Sequence, residues 1–156
     1  MPETMLPPAA GVAEVVAAIE SRFKANRYRY DDPLPEDRTD NLWFWSENHI
    51  IINLTLEYLA GTRWSDQTFT VSGLTGKQHA ARARTDILTW VHERLELGFF
   101  EWHSNTYMKY DYAPLLTLVE FADAPEIVSR AAAVIDLCLY DVATHTIRGA
   151  YGVTHG

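Results

Sequence analysis

Apolar residues recur at helical spacing through most of the chain, separated by loops rich in aromatic and polar side chains. Val12, Val15, Val16, Ile19 and Phe23 share one stripe and predict a short helix over 12–24. Asn26 to Asp40, rich in Arg, Tyr, Asp and Pro, reads as an ordered loop. From about Glu47 to Ala60 the apolar positions (Ile50, Ile51, Ile52, Leu54, Leu56, Tyr58, Leu59) cover most of the helical circumference. Only Asn53 and Glu57 mark a polar edge. That pattern predicts an inner helix, stopped by Gly61 as its C′ residue. After a connection from Gly61 to Thr75, the segment from about Lys77 to Leu97 is amphipathic. Ala80, Ala83, Ile87, Leu88, Trp90, Val91 and Leu95 lie on one arc, and polar residues fill the other. It reads as an outer helix ended by Gly98. A further helix ends near Phe121-Ala122, with Pro114 in its first turn or kinking it. The last runs from about Pro125 to Thr144, where Asp123 and Glu126 have capping-box spacing and Pro125 suits the first turn.

Leu54-Thr55-Leu56-Glu57-Tyr58-Leu59-Ala60 is similar to Leu116-Thr117-Leu118-Val119-Glu120-Phe121-Ala122. Each belongs to an inner helix followed by an amphipathic outer one, a repeat of roughly 50–60 residues that marks a helical-hairpin array. The predicted fold is therefore all-α, built of antiparallel hairpins. Residues 1–40 form a leader, short helix and loop, and residues 41–156 a domain of about two hairpins. The two inner helices are expected to be the more buried. If they start on the same side, the loops entering them converge on one face.

A chain of 156 residues, 47% hydrophobic and 22% charged, has room for one domain with a core. A net charge of −8 with no basic patch argues against nucleic acid as a partner. The single cysteine, Cys138, sits in a helical run and reads as a small core residue. Met1 to Pro8 lacks the basic and apolar regions of a secretory signal, and no apolar run reaches membrane-spanning length. No membrane partner is predicted, and the location is cytoplasmic if Met1 is the native start.

Three loops carry the candidate chemistry. The first is Asn41-Leu42-Trp43-Phe44-Trp45-Ser46-Glu47-Asn48-His49, at the mouth of the 47–60 helix. Ser46 suits the N-cap and Glu47 the first turn, where the helix dipole favours negative charge. Asn48 and His49 project about 100° apart. The second is Phe99-Phe100-Glu101-Trp102-His103-Ser104-Asn105-Thr106-Tyr107, and the third runs from Gly149 to Gly156, with Tyr151 and His155. Flat aromatic faces beside amides, imidazoles and carboxylates suit a sugar ring, although packing and capping account for each residue taken alone. Glu47, Glu101 and Asp111 are candidates for a paired-carboxylate mechanism. His49, His103 and His155 fall one per loop, with Glu47 or Glu101 to complete a ligand set. No two have ligand spacing within a motif, so no metal or cofactor is predicted. His79, His92 and His145 lie along outer helices and read as surface residues.

Ser46-Glu47-Asn48-His49 and Glu101-Trp102-His103-Ser104-Asn105-Thr106-Tyr107, set on inner and outer hairpins, resemble the (α/α)-toroid carbohydrate-active superfamily. That group includes alginate, chondroitin and heparin-type polysaccharide lyases and six-hairpin glycosidases. The resemblance spans roughly Leu42 to Gly156. It implies an incomplete toroid, a fragment or short relative, and a polysaccharide or oligosaccharide partner. Exposed inner-helix surface makes a second copy of the chain a further expected partner. For the lyases it implies β-elimination beside a uronic acid, with Asn48 neutralising the substrate carboxylate. His49 or Tyr107 would then take the C5 proton, and Tyr107 or Tyr112 would protonate the leaving oxygen. Glu47 and Glu101 complete the catalytic set, and Trp43, Trp45, Trp102, His103, Tyr151 and His155 would bind substrate. Two features depart from the lyases. Three isoleucines follow Asn48-His49, and the charge neutraliser must be Arg63, Arg148 or a group beyond this chain. A glycoside hydrolase with paired carboxylates and a non-catalytic glycan- or protein-binding module are the alternatives.

Overall fold

The computed structural model describes residues 11–34, 36, 39, 43–101 and 103–152. Asn41, Leu42, Trp102 and His155 therefore lie outside the described residues. The protein is all-α: α1 (Val12–Lys24), α2 (Glu47–Arg63), α3 (Gly76–Leu97), α4 (Met108–Phe121) and α5 (Pro125–Thr144). Two short antiparallel strands follow, β1 (Thr146–Ile147) and β2 (Ala150–Tyr151), in the register Thr146 with Tyr151 and Ile147 with Ala150. They occupy part of the segment read as a loop. Arg148 (φ 54°) and Gly149 (φ 80°) both take the left-handed conformation at the turn, which a tight two-residue hairpin requires.

Side-chain contacts give the helix directions. Arg94, late in α3, reaches Glu47 at the start of α2, so these two helices run antiparallel. Tyr58, late in α2, donates to Asp123 just after α4, so α2 and α4 run the same way. Arg84, in the first half of α3, pairs with Glu126 at the start of α5. The two hairpins therefore lie side by side, with α2 against α4 and α3 against α5. One core joins all four helices. Ile51, Leu54 and Tyr58 meet Ile87, Trp90 and Val91, and across the hairpin boundary Leu115, Leu118, Ile127 and Val134.

A second cluster of Tyr28, Ala60 and Phe69 lies at the far end of α2, with Phe23 and Trp64 packed against it. Here the 64–75 connection folds back on itself and takes Lys24 O as an acceptor for Thr70 N at 2.9 Å. The loop after α1 is fixed by charge. Asp32 accepts from Tyr28 N and Arg29 N, both at 3.1 Å, and pairs with Arg82 at 2.9 Å. Glu57, fully buried, takes Arg29 at 3.0 Å, His79 at 2.7 Å and Arg82.

Several expectations change. The stop at Gly61 is wrong: α2 continues to Arg63. Gly61 is there because α3 passes so close that a Cβ would stand 2.6 Å from Ala80 N and from Gly76 O. Ser46 does not cap α2 with its side chain, which turns instead to Asn48 and His49. Asp123 does not cap α5, since its carboxylate is taken by Tyr58. Glu57 is not a polar edge and His79 is not a surface residue, because the loop carrying Arg29 and Asp32 covers both. The α2 helix is the most buried, nine of its seventeen residues; α4, with four of fourteen, is more buried than α5, with four of twenty, but less than α3, with seven of twenty-two. The reason is that Tyr110, Leu116 and Phe121 on α4 stay exposed. None of the α1 residues is buried.

Candidate functional site

Parallel α2 and α4 bring their N-termini to one end of the molecule, where the 98–107 loop and the end of α5 also arrive. Glu47 organises this end. Its Oε2 receives Arg94 Nη1 and Phe100 N, and its Oε1 receives Glu101 N, each at 2.9 Å. Both oxygens of a 4%-exposed carboxylate are thus committed to holding the loop against α2. Trp90 Nε1 donates to Glu47 O at 3.1 Å, and the Arg94 guanidinium lies 4.9 Å from the Phe100 ring. The cation beside the Glu47-Asn48-His49 run is therefore Arg94. Arg63, which was expected there, is at the opposite end of α2, and Arg148 is in the β-turn.

Asn48 is buried. Its Nδ2 donates to Glu101 Oε2 at 3.3 Å, and its Oδ1 accepts from Ser46 Oγ at 2.6 Å. His49 is exposed next to Ser46. Glu101 is half-buried, and both burial and the charge of Glu47 push its pKa up, with His49 acting the other way. Tyr107 faces solvent with its ring 6.4 Å from that of Tyr110. Among the described residues its hydroxyl makes no hydrogen bond to Asn48, His49 or Glu101. Trp43 and Trp45 are exposed and lean on each other at 4.9 Å, immediately before the α2 N-cap.

No protein-family model, no curated protein and no solved structure matches this chain. Function has to be read from the chemistry of the site itself.

That chemistry centres on a cavity of about 360 Å³ lined by Glu101, His103, Asp111, Cys138, Tyr140 and Asp141, among others. Asp111 is 2% exposed, and its Oδ1 has no hydrogen-bond partner among the described residues. Burial, then repulsion from Glu47 and Glu101, raise its pKa to about 8 against the counter-pull of Arg94. Arg94 is already held by Glu47, which leaves Asp111 without a cation of its own. Cys138 is pushed up to about 12 by burial and by Asp111. Burial and Cys138 likewise raise Tyr112. Asp111 therefore stays protonated near neutral pH, an acid held in a cavity beside a second carboxylate.

His103 and Tyr151, expected to touch substrate, both lie within the electrostatic reach of Asp141. His103 Nδ1 lies 2.7 Å from Asp141 Oδ2, and Asp141 helps raise the Tyr151 pKa after burial. His145 is not a lone surface residue, since its ring centroid is 4.1 Å from that of His103. Arg94 and Asp141 went unread in the sequence, and His145 was read only as a surface residue. Asp141 and His145, four apart at the end of a helix, left a detectable spacing signal. Nothing local marked Arg94, because its partner is 47 positions away. No helix among the described residues is long and apolar enough to cross a membrane.

Proposed function

We propose that this is a carbohydrate-active protein that hydrolyses glycosidic bonds of a neutral polysaccharide or oligosaccharide. Asp111 acts as the general acid and Glu101 as the partnering carboxylate. The observation that carries the reading is a buried Asp111, one oxygen without a hydrogen-bond partner among the described residues, lining the same cavity as Glu101. Two carboxyl groups in unlike environments, one holding its proton, are what glycoside hydrolysis needs. Trp43 and Trp45 offer flat apolar faces for sugar rings just outside α2. The resemblance of the Ser46–His49 and Glu101–Tyr107 stretches to toroid carbohydrate-active proteins points to the same substrate class.

Elimination beside a uronic acid is less well supported. It needs a free amide or cation to neutralise the substrate carboxylate, yet Asn48 is bound to Ser46 and Glu101, and Arg94 to Glu47.

Neutral glycans and uronate polymers incubated with the protein separate the two chemistries. Hydrolysis releases reducing ends without ultraviolet absorbance, and Asp111→Asn and Glu101→Gln should each slow it by about 10²–10⁴-fold. An ultraviolet-absorbing product from a uronate polymer, formed equally well by Asp111→Asn, would overturn the hydrolytic reading. So would the absence of reducing-end release from every neutral glycan offered.

A further inference from the structure

The end of α5 presents a carboxylate and an imidazole one turn apart, Asp141 and His145, and the 98–107 loop brings a second imidazole to them. His103 Nδ1 is 2.7 Å from Asp141 Oδ2, and His145 Nδ1 is 3.4 Å from Asp141 Oδ1. One ligand atom from each of the three residues lies within 4.8 Å of the others. Two donors bound to one tetrahedral zinc-class ion at about 2.0–2.2 Å stand about 3.3–3.6 Å apart, so side-chain rotations that move the donors by about 1 Å gather them. We propose that His103, Asp141 and His145 form a binding site for one divalent transition-metal ion of the zinc class.

Three features point to a cation rather than to a bare ion-pair cluster. The first is backbone cost. His103 holds φ at 56°, a left-handed conformation uncommon for residues other than glycine, though asparagine, aspartate and histidine adopt it more often than most. That conformation places its ring 4.1 Å from the ring of His145, where two protonated imidazoles would repel. The second is donor orientation. His145 Nδ1 donates to Asp141 O at 2.8 Å, which leaves the lone pair on Nε2. An imidazole whose other nitrogen is held by a carbonyl is the usual form of a histidine ligand. The third is ligand type. Two imidazoles and one carboxylate are the donor set of zinc-class and related transition-metal sites, whereas calcium and magnesium take oxygen ligands.

His103 and Asp141 also line the cavity that holds Glu101 and Asp111. Three protein ligands are the number that leaves a position for water or a ligand, and that position would face the cavity. The ion would also tie the 98–107 loop to α5, a second attachment beside the one Glu47 makes. This site stands independently of the acid role given to Asp111.

The test uses the full chain without a histidine tag, stripped with chelator, and needs no substrate. Cobalt(II) titration should give visible absorption bands of a low-coordinate site at one ion per chain, displaced by zinc. His103→Ala and His145→Ala should each weaken binding by more than about 100-fold, beyond the 10–100-fold that losing a second-shell partner brings. His92→Ala, an exposed histidine paired with Glu96, should leave binding unchanged. Asp141→Asn keeps the shape of the side chain and should weaken cobalt binding even if an alanine variant misfolds. Silent cobalt spectra would overturn the site, as would equal affinity in His103→Ala, His145→Ala, Asp141→Asn and the parent chain. Either result would leave the rates of Asp111→Asn on glycans to decide the hydrolytic reading separately.

Discussion

Two buried acids show how a neighbour's occupation decides a residue's state. Burial alone would raise both. For Glu57 the hydrogen bond from His79 and the charges of Arg29 and Arg82 outweigh it, and the carboxyl titrates below its usual range. For Asp111, Glu47 faces it from α2, Glu101 from the loop and Cys138 from α5, while Arg94 on α3 already serves Glu47. Its pKa therefore moves the other way, to about 8 from an unfolded value of 3.8. Between those values the folded chain holds a proton that the unfolded chain has lost, so stability falls as pH rises from about 4 to about 8. Urea denaturation across that range, in chelator-containing buffer, should show the fall. Asp111→Asn should flatten it and stabilise the fold at pH 8 by on the order of 3–5 kcal/mol. A stability loss in Asp111→Asn at pH 8 would mean that the side chain is ionised and paired. Glu57 has the opposite sign: its contribution is present above the unfolded pKa and is lost as pH falls through the folded one. Neither state was legible from the chain alone. Glu57 looked like a polar edge because Arg29 and Arg82, which bury and satisfy it, are 28 and 25 positions away.

At the scale of elements, α2 and α3 meet backbone to backbone at two glycines. Gly61 and Gly76 each lack the Cβ that would strike the facing backbone. On Gly76 it would stand 2.2 Å from Trp64 O and 2.7 Å from Gly61 O. Those atoms are backbone and cannot swing aside. Alanine favours an exposed helix interior by about 1 kcal/mol over glycine, but here the steric term must win. Gly61→Ala should lower stability by roughly 1–3 kcal/mol, in the range of overpacked cores, and thermal denaturation would read it. A neutral or stabilising result would mean that the helices can separate without loss. The helices themselves were readable, because a period of 3.6 survives without knowledge of partners. The limits of α3 and α5 came within a residue or so of those observed. The end of α2 did not, because a glycine that lets helices touch looks the same in sequence as one that ends a helix. The converging loops were foreseen from the hairpin repeat. The Asp141–His145 side of the site was not, since the end of α5 reads as a solvated face until the 98–107 loop is laid across it.

For the whole molecule, stability should reside in the four helices that share a core, with α1 outside it. The α1 stripe was read from its spacing as the apolar face of a short helix. Yet Val12 is 82% exposed, and Val16 and Ile19 are about half exposed. Only Phe23, at the end of the helix, packs against the cluster around Tyr28 and Phe69. Fully burying a valine or isoleucine side chain is worth about 1.5–3 kcal/mol, so a docked stripe would lose several kcal/mol on receiving two charges. An undocked one should lose little, since surface substitutions usually stay within about 0.5 kcal/mol each. The double variant Val16→Glu, Ile19→Lys is therefore expected to unfold within about 1 kcal/mol of the parent in urea. Ile87→Ala, at the centre of the shared core, should cost about 2–5 kcal/mol in the same assay. The double variant should also bind less of a dye that reports exposed apolar surface. A loss in Val16→Glu, Ile19→Lys comparable to that of Ile87→Ala would show that α1 is packed in solution, against this chain or another copy. The division into a four-helix core and an outlying α1 would then be wrong.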